Sequence, residues 1–159
     1  MWITPLYFKQ NTIIPCAEWA CPRRRGKRCK RGKKMKLKRC VVTIEEDRLK
    51  VDIQKVCMEY KIIKKWVYIL HDKDVTRNHY HIYLIFGNHS VDSAIVAKWF
   101  NLAWTDEDGK EHTGENIIYP VRSSDLDIYL YLIQYEKYSP SKVVSNFDFA
   151  KELSNYKLG

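Results

Sequence analysis

"HDKDVTRNHYHIYLIF", residues 71–86, holds three of the chain's five histidines and two aspartates within eleven positions, then runs into an apolar strand. "HYHIYLIF" (79–86) reads as that strand. Its alternate residues point to the same face, so His79 and His81 project side by side while Tyr80, Ile82, Leu84 and Phe86 face the opposite side as core. "WVYILHD" (66–72) reads as the preceding strand, and "KDVTRN" as a polar connection. If these two strands pair as neighbours, His71, Asp74, His79 and His81 converge at one end of a sheet. Three imidazoles and a carboxylate form a borderline-to-hard ligand set that suits Mn²⁺, or Mg²⁺ with more water, with Zn²⁺ chemically possible. The competing reading is a set of polar residues scattered along a strand edge.

Working outward, "KRCVVTIEED" (38–47) reads as a first strand, and Leu49, Ile53, Val56, Cys57 and Tyr60 recur at helical spacing over 47–61. Val91–Ala103 reads as a second helix, with Ile95, Trp99 and Leu102 on one face. "TDEDGKEHTG" (105–114) reads as a polar loop, and "NIIYPV" (116–121) as a fourth strand whose Pro120 argues for its end or a sheet edge. "SSDLDIYLYLIQYE" (123–136) reads as a third helix capped by Ser123 or Ser124. A loop and a short tail element follow. The order β-α-β-β-α-β-α predicts an α+β fold, an antiparallel sheet with helices packed on it in a split βαβ plan.

Charge is unevenly distributed. The chain has 159 residues and a net charge of +9. Residues 21–39, "CPRRRGKRCKRGKKMKLKR", contain twelve of the 28 Lys/Arg and no acid, so the rest holds 16 basic against 19 acidic residues, a net of −3. Residues 1–38 therefore read as a basic, disordered arm, and 39–159 as the folded domain. Arg23, Arg24, Arg25, Lys27, Arg28, Lys30 and Arg31 are its candidate DNA-phosphate contacts; a merely solvated tail is the alternative. The five cysteines include no CxxC pair, which disfavours a zinc knuckle and fits free thiols in a reducing compartment. The N-terminus lacks a secretory leader, and no window nears the ~20 apolar residues that span a bilayer. The expectation is a cytoplasmic bacterial protein with no membrane partner.

On the third helix, Leu126, Tyr129, Leu130 and Ile133 form the apolar stripe, which makes Tyr129 a core aromatic. Tyr131 falls with Asp127 and Gln134 on the polar side. From the residues alone it reads as an ordinary surface tyrosine. "DEDG" (106–109) lacks the ligand ladder of a calcium loop and reads as a solvated turn. His89 and His112 read as bystanders.

The ordered set "HDKD…HYHIYL" followed by "YLYL" resembles the HUH endonucleases, in particular the replication initiators of small rolling-circle plasmids. The two-histidine signature matches His79-Tyr80-His81, the upstream ligands match His71 and Asp74, and the nucleophile matches Tyr131. "SNFDFAKEL" is similar to the segment that closes the family's endonuclease domain, so the resemblance covers roughly residues 38–150. It implies a ferredoxin/RRM-like fold, a divalent cofactor (Mn²⁺ or Mg²⁺), single-stranded or hairpin origin DNA as substrate, and a host helicase and polymerase as partners. The implied activity is site-specific nicking and joining through a covalent 5′-phosphotyrosine. Three features depart from the family pattern. Thirty-eight residues precede the first strand, with Met35 as an alternative start. Gln134 stands where some relatives have a histidine. The C-terminal oligomerisation domain of larger relatives is expected to be absent. A single-tyrosine transposase, or a metal-stabilised DNA-binding module without catalysis, is the alternative reading. A mobilisation relaxase fits less well, because its tyrosine usually precedes the histidines.

Overall fold

The computed structural model of the chain describes residues 35–73 and 76–158. Asp74 and the arm residues Arg23, Arg24, Arg25, Lys27, Arg28, Lys30 and Arg31 lie outside the described residues. The main sheet is built from β2 (Arg39–Glu45), β3 (Lys65–His71), β4 (His79–Ile85), β8 (Ile118–Pro120) and β9 (Val144–Ser145). Its order is β8-β2-β4-β3-β9, and every neighbouring pair is antiparallel. The α+β expectation holds, and β8 is an edge strand ending at Pro120. Proline cannot donate to a ladder, so the edge is the position it tolerates. Two short ribbons complete the strands: β1 (Lys36–Leu37) with β5 (Val91–Asp92), and β6 (Trp104–Thr105) with β7 (Glu111–His112).

Helices cover both faces of the sheet. On one face, α1 (Ile53–Glu59) and α2 (Ser93–Trp99) pack on Val42, Ile44, Trp66, Ile82 and Leu84. On the other, α3 (Asp125–Leu132) and α4 (Phe149–Leu158) pack on Val41, Val67, Ile69 and Tyr83. Strand β4 lies third of five and is covered on both sides, so its alternate residues are core on either face. Tyr80, Ile82 and Leu84 belong to the first cluster, as the alternation predicts, and Phe86 joins them.

Several elements are shorter than the periodicity predicts. The 47–61 helix resolves into a 3₁₀ turn, Glu46–Arg48, and α1. Asp52 starts α1 by accepting a hydrogen bond from the Lys55 amide at 3.3 Å. A capping aspartate satisfies an amide that lacks a helical partner, and its own backbone is extended. Val91–Asp92 pairs with β1, so α2 begins only at Ser93. The 105–114 loop is a hairpin closed by Asp106, whose Oδ1 accepts from the Asp108 and Lys110 amides at 2.9 Å each. His112 is bound to the same carboxylate at 2.9 Å, a partner within its own hairpin. The expected short tail is a ten-residue helix, α4.

Helix α3 is fixed at both ends. Ser124 caps it, accepting from the Asp127 amide at 3.3 Å. Arg39 on β2 donates to Asp125 (2.9 Å), to Tyr83 Oη (3.0 Å) and to the Ser123 carbonyl (2.6 Å). Further along, Tyr129 Oη donates to Glu152 of α4 at 2.7 Å, and Lys65 of β3 donates to the same carboxylate at 2.9 Å. Burial first, and then that carboxylate, push the Tyr129 phenol above its ordinary value. Tyr129→Phe should therefore cost about 1 kcal/mol, the usual worth of one such hydrogen bond. A urea melt measures this cost, and a loss above about 3 kcal/mol would mean that the ring packing is also disturbed.

Cys40 and Cys57 are free thiols within the core, and burial pushes Cys57 up to about 12. Among the described residues no helix is long and apolar enough to cross a membrane.

Candidate active site

Strand register assembles the histidines. In the β3–β4 pair His71 lies directly opposite His79, and His81 follows on the same face of β4. A one-residue slip would turn the set to the other face, so both cores that flank β4 enforce this register. His71, His79 and His81 are fully buried, each offers one ligand atom, and the three atoms lie within 4.8 Å of one another. Their ring centroids are 4.4–5.3 Å apart.

The hydrogen bonds show which nitrogens can take a cation. His79 Nδ1 lies 2.9 Å from the Arg77 carbonyl. A carbonyl only accepts, so Nδ1 bears a hydrogen and Nε2 is the ring nitrogen placed to take a cation. His81 Nδ1 lies 3.1 Å from Thr43 Oγ1, its cross-strand neighbour on β2, and His81 Nε2 is buried without a hydrogen-bond partner. Burial, reinforced by His71 and His79, holds His81 well below the usual imidazole value, so the ring is neutral at pH 7. Three buried imidazoles, of which His81 is neutral with an unpartnered Nε2, fit a divalent cation.

His71 has the most elaborate surroundings. Its Nε2 donates to the Leu132 carbonyl at 2.7 Å, the Gln134 amide nitrogen lies 3.1 Å from Nδ1, and the Tyr138 ring stacks on it at 4.8 Å and 10°. Tyr138 Oη also accepts from the Lys73 amide at 2.8 Å, which ties the start of the 71–79 connection to the same patch.

Tyr131 is not on a polar surface. It is 4% exposed, and its ring meets His81 edge-on at a centroid distance of 5.1 Å. The buried face of α3 is Ile128, Tyr129, Tyr131 and Leu132, whereas Leu126 and Leu130 are only half-buried. Of the apolar stripe that hydropathy predicts, Tyr129 and Ile133 are buried, Leu126 and Leu130 are only half-buried, and Tyr131 takes a buried place beside His81. An amphipathic phenol packs on an imidazole better than leucine does. Both tyrosines are therefore buried, against the expected polar-side position of Tyr131, but their surroundings differ. Tyr129 is bound to Glu152, and Tyr131 borders the histidine patch.

Thr43 and Tyr138 carried no local signal in the sequence. Thr43 becomes visible only through its register with His81, and Tyr138 only through the turn after α3.

No family model matches the chain. A curated protein named "Replication protein", from Onion yellows phytoplasma (strain OY-M), is 30% identical over 142 residues. That alignment takes in 74% of this chain and 34% of the phytoplasma protein, so this chain is similar to about a third of that relative's length.

Proposed function

We propose that the chain is a replication initiator that nicks and rejoins single-stranded DNA at a rolling-circle origin. The observation that carries this reading is the contact of Tyr131 with His81, which brings a hydroxyl-bearing side chain on a fixed helix to a buried patch of three imidazoles. Similarity to a replication protein supports the biological role.

His71, His79 and His81, with Asp74 from the adjoining connection, would hold one Mn²⁺ or Mg²⁺. When bound, the cation offsets the charge that builds on the scissile phosphate. A free phenol has a pKa of ~10 and is a weak nucleophile at pH 7, so position and charge compensation have to supply the rate. Tyr131 Oη forms the new bond to phosphorus, the P–O3′ bond breaks, the phenol loses its proton and the departing 3′ oxygen gains one. The product is a 5′-phosphotyrosine and a free 3′ hydroxyl, which a polymerase can extend. One phosphodiester replaces another, so rejoining needs no external energy source.

Single-stranded oligonucleotides tiling the DNA that encodes the chain, incubated with the protein and Mn²⁺ and run on denaturing gels, test this reading. A metal-dependent covalent adduct that maps to Tyr131 is expected. Binding without any adduct would favour a DNA-binding module that lacks catalysis.

The basic run should act through phosphates rather than bases, since it is rich in charge and has few rings for stacking. Deleting residues 1–34 should flatten the salt dependence of DNA affinity and leave the cleavage position unchanged. A shifted cleavage position would contradict a purely electrostatic arm.

A further inference from the structure

Helix α3 ends in a backbone conformation that favours glycine. Gln134, Tyr135 and Glu136 have φ of 49°, 53° and 78°, consecutive left-handed residues without a glycine among them. The turn is closed by the Tyr135 amide donating to the Leu130 carbonyl (2.8 Å) and the Gln134 amide donating to the Tyr131 carbonyl (3.0 Å), a pattern in which the first left-handed residue is usually glycine. Glutamine strains the backbone there, and what the position gains is its side chain. That side chain is buried and lies 3.1 Å from His71 Nδ1.

In the other two histidines, too, Nδ1 has an outer partner. His79 Nδ1 is held by the Arg77 carbonyl and His81 Nδ1 by Thr43 Oγ1, which leaves Nε2 of each ring as the ligand atom. We propose that Gln134 is the positioning residue for His71, the outer partner that holds its Nδ1 so that Nε2 becomes the third ligand atom. This inference rests on reading the histidine patch as a metal centre. Outer partners of this kind orient metal-bound imidazoles and raise their basicity. In the structure His71 Nε2 donates to the Leu132 carbonyl, so Nδ1 accepts from the Gln134 amide N–H. Once Nε2 faces a cation, Nδ1 is the nitrogen that bears hydrogen, and the amide carbonyl of Gln134 accepts it after a half-turn of the side chain. An amide serves both states, a carboxylate serves the second, and leucine serves neither.

The experiment is isothermal titration of the full chain with MnCl₂, comparing wild type, Gln134→Leu, Gln134→Gly and Gln134→Glu, with His81→Ala as the reference for a lost ligand. Gln134→Leu and Gln134→Gly should bind Mn²⁺ about ten- to a hundredfold more weakly. Gln134→Glu should stay within about threefold of wild type or bind more tightly. Gln134→Gly should melt no lower than wild type without metal, because glycine suits the left-handed position, so its weaker binding cannot be attributed to misfolding. Wild-type affinity in Gln134→Gly or Gln134→Leu, with His81→Ala impaired, overturns the role of Gln134 and leaves the metal centre standing. Loss in Gln134→Glu equal to that in Gln134→Leu also overturns it. No Mn²⁺ binding by wild type would remove the metal reading itself.

Discussion

Replacing Tyr131 by Phe should abolish the covalent protein–DNA adduct, with single-strand cleavage falling by at least about a thousandfold, because no other group takes over from a lost nucleophile. The fold should survive. The ring remains edge-on to His81 and within the buried face of α3, and only the hydroxyl is removed. Because Tyr131 is buried, the change removes a group from the site rather than from solvent, and its stability cost should be within about 1.5 kcal/mol in either direction. Tyr129→Phe is the matched control, since its hydroxyl is committed to Glu152 and its phenol is held above the ordinary value, first by burial. It should lose stability and keep the adduct. Peptide mapping after nuclease trimming identifies the linked residue. An adduct on Tyr129, or undiminished cleavage by a folded Tyr131→Phe protein, would refute the mechanism.

Mn²⁺ should raise the melting temperature of the wild-type chain, and His79→Ala or His81→Ala should remove the rise. A ligand present at a hundred times its Kd adds about 2.7 kcal/mol to a folded state that alone binds it. For a chain of this size that amounts to about 5–10 °C. Each alanine variant also loses a buried ring, so its metal-free melting point will fall. The diagnostic quantity is therefore the difference with and without Mn²⁺ within each variant. His89→Ala, outside the patch, should keep the full shift. Equal shifts in wild type, His79→Ala and His81→Ala would place the cation elsewhere.

Much of this site was legible in sixteen residues. The two-residue spacing of His79 and His81 determines that they share a face of any strand that contains them, because strand side chains alternate. The apolar partners Ile82, Leu84 and Phe86 determine which face is the opposite core, and the structure agrees. Ser124 and Asp52 mark helix starts through the chemistry of a capping oxygen. These are local properties, and the sequence contains them.

The tertiary structure decided what depends on a distant neighbour. His71 reaches the patch only because β3 pairs with β4 in a register that sets it opposite His79. Coverage of the sheet on both faces makes the histidines fully buried instead of lining an edge, which keeps His81 neutral. The orientation of α3 follows the same rule. Hydropathy by itself turns Leu126 and Leu130 inward, yet they are only half-buried against the cluster that α3 forms with Val41, Val67, Ile69 and Tyr83, while Tyr131 is buried beside His81. Tyr131 and Gln134, each with an apolar body and a polar tip, fit the histidine patch and are buried there. A helix presents whichever face complements its support. Here the support includes a polar patch within an apolar sheet, and that patch is assembled from strands that only the fold brings together.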